Sequence, residues 1–340
     1  MEKHWESRNG ILEEMSAMGK NVIKAVGLLS GGLDSTLAAK IMLEQDIVVY
    51  LVNFTSPFNI DLPKNGGASA VTKAVKELGN IPLKRIPFED DYLEMVCNPM
   101  HGYGKGMNPC IDCRIMSIRK AGEYMRQIKA SFLFTGEVLG QRPMSQHRKA
   151  VEIIDRETGL KELILRPLSA LHFKPTIPEK EGWVDRSRLF GISGRSRKAQ
   201  ISLAAVKGIK EYPSPAGGCL LTDKNFSDRL RDYLMFTKTP SMEDIPLLKV
   251  GRHFRLETGD KVIVARDEHE CKILKILHRE KDHLFEPLGF SGPVVILQGD
   301  MVRAAIDKMM RYTKKPLDEN SLVSHRRMGK ERIISLHGIA

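Results

Sequence analysis

Several features that define whole classes of protein are missing from the 340-residue sequence. It has no apolar run near the roughly 20 residues of a membrane span, and its first twenty residues lack an apolar signal core. We therefore expect no membrane segment and no export. Five cysteines are an odd number for a disulfide framework, which favours a reducing, cytoplasmic compartment. Aromatic residues are only 6% of the chain, which argues against a stacking platform for single-stranded nucleic acid.

Negative charge is also scarce. The chain carries 53 Lys and Arg against 42 Asp and Glu, a formal net charge of +11. This excess suits a polyanionic partner. It would equally serve to solvate an ordinary surface, and composition alone does not separate the two interpretations.

One stretch near the N-terminus combines an apolar run with glycines and hydroxyl residues. The run at residues 25–29 ends in Ser30-Gly31-Gly32-Leu33-Asp34-Ser35, and helix-favouring residues follow. This pattern predicts a buried strand, a tight turn and the start of a helix, whose free amides attract anions. It is not a Walker loop, because it lacks G-x-x-x-x-G-K. We interpret the turn as a phosphate cradle; the alternative is a turn that uses glycine and serine for geometry alone.

Apolar runs and amphipathic segments alternate along the next 180 residues. We predict strands at 22–29, 47–54, 82–87, 131–136 and 163–168. We predict helices at 34–45, 67–78, 91–97, 114–129 and 198–209. The alternation indicates an α/β fold with a doubly wound parallel sheet. Ligands of such sheets bind at the carboxyl ends of the strands, where the turn, Asn53-Phe54 and Thr135-Gly136 would emerge.

The sequence pattern changes after a proline- and glycine-rich loop at 212–219. We predict an N-terminal arm at 1–21, a first domain at 22–223 and a second at 224–340. Short apolar runs split by turn signals indicate that the second domain is small and α+β. It closes with a basic helix at 301–315 and a basic tail around Arg326.

Three cysteines stand in unusual surroundings. Cys110 and Cys113 form a C-x-x-C that we expect directly before the helix at 114–129, and Cys219 follows two glycines. The helix N-terminus and Arg114 should lower the pKa of the paired thiols. Structural zinc takes four ligands, whereas three thiolates suit an iron–sulfur cluster with one open iron. Zinc and a redox pair remain alternatives.

The other two cysteines, Cys97 and Cys271, lie in apolar helical or strand contexts. Free cysteine commonly behaves as a small hydrophobic residue. We therefore predict that both are buried and have no part in the chemistry.

The turn at Ser30 to Ser35 resembles the PP-loop of the ATP pyrophosphatases, which split ATP to AMP and pyrophosphate. With the Asn108-Pro109-Cys110 segment and the late Cys219, it resembles the tRNA thiolation enzymes. Segments 135–141, 145–146 and 166–168 resemble the 4-thiouridine synthetase branch. The Asn-Pro-Cys turn and the late cysteine resemble the 2-thiouridylase branch. The C-x-x-C with one distant cysteine resembles the iron–sulfur-dependent members, and the second domain is similar to the RNA-binding module named for the NFACT proteins.

This resemblance implies an ATP-dependent tRNA uridine sulfurtransferase. Such an enzyme adenylates a uridine carbonyl oxygen and replaces it with sulfur, and we favour 4-thiouridine over 2-thiouridine. The implied cofactors are ATP, Mg²⁺ and a [4Fe-4S] cluster held by Cys110, Cys113 and Cys219. The implied partners are tRNA and a sulfur donor, either sulfide or a cysteine desulfurase; a homodimer is a candidate assembly.

The resemblance also assigns roles to single residues. Asp34 and the three cysteines are the implied catalytic residues. The implied nucleotide-binding residues lie in the turn and at two strand ends: Ser30, Gly31, Gly32, Leu33, Asp34, Ser35, Asn53, Phe54, Thr135 and Gly136.

Three other functions fit parts of the sequence. The first is a PP-loop ligase or amidotransferase that acts on a small molecule, which leaves the basic second domain without a purpose. The second is an RNA-binding protein with structural zinc, which leaves the complete Ser-Gly-Gly-Leu-Asp-Ser turn unexplained. The third is a thiolation enzyme that uses a cysteine persulfide relay, with Cys110 or Cys113 paired to Cys219, and no iron.

Overall fold

The computed structural model describes residues 22–59, 68–213, 218–314 and 321–335. The chain forms two compact units that divide after Thr222. The predicted N-terminal arm lies outside the described residues, as do residues 214–217 of the proline- and glycine-rich loop.

The first unit is built on a five-stranded parallel sheet with strand order β3-β2-β1-β4-β5. Its strands are β1 (Lys24–Leu28), β2 (Val48–Thr55), β3 (Leu83–Pro87), β4 (Phe132–Thr135) and β5 (Ile164–Leu165). This confirms the predicted doubly wound sheet. The strand order reverses at β1 and β4, so their carboxyl ends border the crevice in which such sheets bind ligands.

Helices cover both faces of this sheet. They are α1 (Leu33–Leu43), α2 (Ala70–Glu77), α3 (Asp90–Cys97), α4 (Cys110–Gln127), α5 (Arg148–Thr158), α6 (Ile177–Lys180) and α7 (Lys198–Val206). One buried apolar cluster joins the sheet to α1, α2 and α7, and a second joins it to α4 and α5. Buried apolar residues on both faces explain why the strands read as nearly continuous apolar runs.

Two elements of the first unit differ from the sequence prediction. Helix α4 begins at Cys110, so the C-x-x-C forms its first turn and does not precede it. Helix α5 was not predicted. Its N-cap His147 accepts a hydrogen bond from the Ala150 amide, and its C-cap Gly159 adopts a left-handed conformation.

The second unit contains a six-stranded antiparallel sheet with strand order β11-β10-β8-β9-β7-β6. Its strands are β6 (Arg252–Arg255), β7 (Lys261–Val264), β8 (His283–Leu288), β9 (Val295–Gln298), β10 (Leu322–Arg327) and β11 (Lys330–Ser335). Its helices are α8 (Lys224–Phe236), α9 (Ile245–Leu248), α10 (Glu268–Leu277) and α11 (Val302–Arg311). The α+β prediction is confirmed.

Helices α10 and α11 pack on opposite faces of this sheet. Ile306 of α11 shares a buried cluster with Phe285 of β8, whereas Leu274 of α10 packs with Leu284 from the other side of that strand. The basic tail predicted around Arg326 forms the hairpin of β10 and β11. Within the described ranges, every helix is too short or too polar to span a bilayer.

Candidate nucleotide and cysteine site

The turn between β1 and α1 has the geometry of an anion site. Gly31 has a φ of 77°, and a Cβ there would lie 2.5 Å from the Val71 backbone nitrogen. Only glycine therefore fits between this turn and the start of α2. The N-cap residue Gly32 offers no side-chain cap, so the first amides of α1 are open to a ligand.

Hydroxyl groups fix the shape of this turn. Ser35 Oγ donates to the Gly32 carbonyl at 2.9 Å and lies 3.1 Å from Ser30 Oγ. Thr36 Oγ1 donates to the same carbonyl at 3.0 Å. Leu33, which was predicted to bind the nucleotide, is fully buried in the apolar cluster of the first unit.

Asp34 projects from the first turn of α1 with one oxygen held and one free. Gln141 Nε2 donates to Asp34 Oδ2 at 2.8 Å. Asp34 Oδ1 is buried and has no hydrogen-bond partner in the part of the chain that the structure describes. Burial raises the pKa of Asp34, and the positive charges of Arg197 and Arg142 oppose that rise. An unpaired buried carboxylate oxygen beside an anion cradle suits a bound cation.

The two strand ends predicted to hold the nucleotide lie beside this turn, but much of their polar capacity is already used. Asn53 Nδ2 donates to the Leu29 carbonyl at 2.8 Å, and the ring of Phe54 stacks on that of Phe88 with centroids 5.2 Å apart. Thr135 is fully buried, and its hydroxyl donates to Glu137. An adenosine bound here would therefore contact the backbone of these residues and the ring of Phe54.

Gly136 brings the end of β4 against the start of α1. A Cβ at this position would lie 2.4 Å from the Ser35 amide nitrogen and 2.6 Å from the Asp34 carbonyl carbon. Because those atoms are backbone, any side chain would force the turn away from β4. The glycine therefore sets the width of the crevice.

A buried ion network that was not predicted joins α4 to β4 and β5. Glu137 is 1% exposed and accepts hydrogen bonds from Arg114 Nε at 2.7 Å and Arg166 Nε at 3.0 Å. Arg166 also donates to both carboxylate oxygens of Asp155. Burial alone would raise the pKa of Glu137, but the two arginines lower it to about 2. Asp155 differs, because burial raises its pKa despite the pairing.

The structure brings the third cysteine to the other two by backbone pairing. Cys219 forms an isolated antiparallel bridge with Asn59, just beyond the end of β2. The Leu220 amide donates to the Phe58 carbonyl at 2.9 Å. The Met107 amide, three residues before Cys110, donates to the Leu221 carbonyl at 2.8 Å.

The three thiols share one buried neighbour. Tyr92 is 3% exposed, and its hydroxyl donates to Cys113 Sγ at 3.4 Å. Burial, followed by the charges of Cys113, Cys219 and Cys110, raises the pKa of Tyr92 well above its ordinary value. Of the three cysteines, Cys113 is the one to which Tyr92 donates a hydrogen bond, and Cys110 and Cys219 act on the tyrosine through their charge.

The expectation that the paired thiols have lowered pKa values is wrong. Burial raises the pKa of Cys110 and Cys113, and it raises that of Cys219 to about 12. Arg114 acts in the expected direction on the paired cysteines but is outweighed by desolvation. The free protein therefore holds these cysteines as thiols at neutral pH.

Cys97 and Cys271 were predicted to be buried, and both are only half-buried. Cys97 is the last residue of α3, and Cys271 lies in α10, where its sulfur accepts from the Val294 amide at 3.5 Å. Their helices pack only part of each residue against the core.

One arginine acts electrostatically both on the cysteines and on the glycine turn. Positive charge on Arg142 lowers the pKa of Asp34, Cys110 and Cys219 against the larger effect of burial. In the ranges that the structure describes, no three His, Cys, Asp or Glu side chains meet closely enough to hold one metal ion. Three cysteine thiols, once deprotonated, are a donor set that suits either zinc or an iron–sulfur cluster.

The parallel sheet and the glycine turn together have the arrangement of a PP-loop fold. Comparison with known families makes this more specific. Residues 21–178 match the family described as thiamine biosynthesis protein (ThiI), and residues 251–339 match the NFACT protein RNA binding domain. Residues 21–178 and 251–339 are thus similar to these two families, which confirms the resemblance seen in the motifs.

Two relatives of known name are both described as probable tRNA sulfurtransferases. A probable tRNA sulfurtransferase of Macrococcus caseolyticus (strain JCSC5402) is 30% identical over 149 residues, which are 44% of this chain and 35% of the relative. A probable tRNA sulfurtransferase of Geobacillus kaustophilus (strain HTA426) is 29% identical over the same shares. The match thus spans about a third of the length of these relatives.

Solved structures show more distant likeness. One is the crystal structure of a 4-thiouridine synthetase–RNA complex with bound ATP, with 22% identity, a TM-score of 0.36, and coverage of 66% of this chain and 52% of that chain. Another is a predicted subunit of tRNA methyltransferase from Methanocaldococcus jannaschii DSM, with 15% identity, a TM-score of 0.31, and coverage of 51% and 97%.

Proposed function

We propose that this protein is an ATP-dependent tRNA uridine sulfurtransferase of the cytoplasm. The observation that carries the proposal is a glycine turn with a free Asp34 Oδ1 in the same unit as three cysteines whose segments are joined by backbone pairing. The positive charge of Arg142 acts on Asp34 and on two of these cysteines, Cys110 and Cys219. The ThiI family domain at 21–178 and the names of the curated relatives support the same activity.

The turn and Asp34 serve the first step. Amides at the start of α1 bind the phosphates of ATP, and Asp34 Oδ1 is free to bind Mg²⁺. Mg²⁺ supplies charge neutralisation for the departing pyrophosphate. The uridine carbonyl oxygen forms a bond to the α-phosphorus, the bond from that phosphorus to the bridging oxygen breaks, and the N3 proton passes to solvent. The crevice bounded by Gly136 orients the two reactants.

The second step replaces the adenylated oxygen with sulfur. Sulfide sulfur forms a bond to the activated ring carbon, and AMP departs with the carbonyl oxygen. Cys110, Cys113 and Cys219 would hold a [4Fe-4S] cluster as thiolates, and the free thiols would lose their protons when it binds. The cluster, when bound, supplies an iron without a protein ligand. Tyr92 donates a hydrogen bond that holds Cys113 in place.

The product we propose is 4-thiouridine. Segments 135–141, 145–146 and 166–168 carry the resemblance to the 4-thiouridine branch, and they include Glu137, Gln141 and Arg166 of the site. The NFACT-type domain at 251–339 is our candidate for tRNA binding. The sulfur donor in the proposal is sulfide, delivered free or from a cysteine desulfurase.

The first experiment measures metal and activity in parallel. The full chain is purified without oxygen, and its iron, sulfide and zinc contents are determined. Thiolated nucleosides are then measured after incubation with ATP, Mg²⁺, sulfide and unmodified tRNA. We expect about four iron atoms per chain and 4-thiouridine formation. Cys110→Ala, Cys113→Ala and Cys219→Ala should each lose both, while the half-buried Cys97→Ala serves as the matched control and keeps both.

Other results would select the alternatives. Colourless protein with stoichiometric zinc and no ATP turnover would indicate an RNA-binding protein, whereas activity without iron would indicate a persulfide relay. A 2-thiouridine product would overturn the chosen position, and ATP turnover that needs no RNA would indicate a small-molecule ligase.

A further inference from the structure

Three buried polar atoms without a hydrogen-bond partner, among the residues that the structure describes, lie in one neighbourhood of the first unit. They are Asp34 Oδ1, Arg197 Nε and Gln200 Oε1. A fourth such atom in this unit, on Gln45, lies beyond the opposite end of α1 from Asp34. Unpaired buried polar atoms are rare in folded proteins, and a concentration of them marks a place where something else binds.

Hydrogen bonds fix the position of this neighbourhood. Gln200 is fully buried, and its Nε2 donates to Gln141 Oε1 at 3.2 Å. Gln141 in turn donates to Asp34. The chain Gln200–Gln141–Asp34 therefore ties α7 to the start of α1.

Backbone pairing anchors the segment that leads into α7. Ser193 forms a parallel bridge with Leu139, and the Gly194 amide donates to the Leu139 carbonyl at 2.7 Å. Arg197 is the N-cap residue of α7, and no side chain caps the helix. Because Arg197 and Gln200 are three residues apart, they lie on one side of the first turn of α7.

The chemistry of the free atoms defines the ligand. A buried guanidinium nitrogen without a partner is costly, and phosphate oxygens are its best partners. The free carboxylate oxygen of Asp34 would repel a bare phosphate. A phosphate chain that carries a divalent cation satisfies both, because the cation meets Asp34 and the phosphate oxygens meet Arg197 and the α7 amides.

We propose that Arg197 binds the polyphosphate of the nucleotide, in the part that leaves as pyrophosphate. This inference rests on the proposed function only in that the bound molecule is ATP. Arg197 lies outside residues 21–178, the part that matches the ThiI family domain, so the segment after that match completes the nucleotide site.

The test compares ATP with AMP. Dissociation constants are measured by calorimetry with the full chain and Mg²⁺, without RNA. Arg197→Gln should weaken ATP binding about tenfold to a hundredfold, as expected for a lost charge-assisted hydrogen bond, and should leave AMP binding within about threefold. The ATP affinity of Arg197→Lys should lie between that of the parent and that of Arg197→Gln. The exposed neighbours supply matched controls, and Arg195→Gln and Lys198→Gln should bind ATP as the parent does.

The outcomes separate this inference from the proposed function. Unchanged ATP affinity in Arg197→Gln overturns the inference, and so does an equal loss of ATP and AMP affinity, which would mean that Arg197 only supports the fold. Selective loss of ATP affinity supports it even if the parent protein makes no thiolated tRNA, a result that would overturn the sulfurtransferase proposal alone.

Discussion

At the scale of single residues, Asp34 lies at the candidate nucleotide site but has incomplete hydrogen bonding in the free protein. One oxygen accepts from Gln141, and the other is buried without a partner in the described chain. Such groups destabilise the free fold and are retained where a ligand compensates. Asp34 should therefore matter more for chemistry than for stability.

The variant Asp34→Asn tests this balance. We expect AMP formation to fall by about 100-fold or more, since the site loses its cation-binding charge. Iron content and the thermal unfolding midpoint should stay at or above the parent values, because an unpaired buried charge has been removed. The exposed Asp46→Asn is the matched control. Retained AMP formation in Asp34→Asn would remove the assigned role.

Candidate site residues can be recognised from the sequence alone where they form a short contiguous motif. The glycine turn and the C-x-x-C are contiguous, so spacing alone identifies them. Gln200 and Tyr92 were missed because each meets the site through contacts between distant parts of the chain. The pKa direction of the cysteines was missed for a related reason, since burial depends on packing that no local pattern reveals.

At the scale of elements, the ion network of Glu137 holds three elements together. It links Arg114 of α4, which follows Cys113, to Arg166 just beyond β5. The cysteine-bearing helix is thereby fixed relative to the carboxyl end of β4. Breaking one partner of such a buried network leaves charges uncompensated.

Glu137→Gln should lower the free energy of unfolding of the first unit by roughly 3 kcal/mol at pH 7. The pKa of Glu137 in the folded protein, about 2, is below its ordinary value of 4.5. Its contribution is therefore fully present above about pH 4.5 and is lost as pH falls toward 2. The difference between parent and variant should shrink accordingly. Trp183 lies in this unit, so the change in its fluorescence during urea unfolding measures the unit.

The exposed Glu123→Gln, in the same helix α4, is the control for this measurement. It should unfold as the parent does at every pH. A parent–variant difference for Glu137 that stayed constant down to pH 3 would show that the carboxylate charge has no part in the stabilisation.

Element prediction was accurate for long apolar runs and failed for mixed ones. Strands β1 to β4 were expected within two residues of their observed bounds. Helix α5 was missed because charged residues interrupt its apolar pairs, as Glu152 does between Val151 and Ile153. The β10–β11 hairpin was predicted as a tail. Each of its strands is only six residues long and includes basic residues, which hides the alternating pattern of a strand.

At the scale of the whole molecule, the second unit has basic residues on two helices. Those chosen from α10 form ion pairs, whereas those chosen from α11 do not. Lys272 and Lys275 of α10 pair with Glu268 and Glu286. Arg303 and Arg311 of α11 are exposed and have no acidic partner among residues that the structure describes. The α11 face is the better candidate for phosphate contacts.

The double variant Arg303→Gln/Arg311→Gln should therefore weaken tRNA binding by the full chain. The slope of log affinity against log salt should fall by up to about two, roughly one per lost phosphate contact. ATP affinity should not change. Lys272→Gln/Lys275→Gln removes the same charge from the opposite face and should retain most of the affinity. Equal losses in both variants would show that net charge alone governs binding.

The bridge between Asn59 and Cys219 has a consequence for synthesis of the chain. It joins the early part of the first unit to its last few residues. All five strands of the parallel sheet and both cysteines of the C-x-x-C leave the ribosome before Cys219 does. The parallel sheet can thus form on the nascent chain while Cys219 is still in the exit tunnel. The order of translation therefore delays assembly of the cysteine site until the scaffold that receives it is nearly complete.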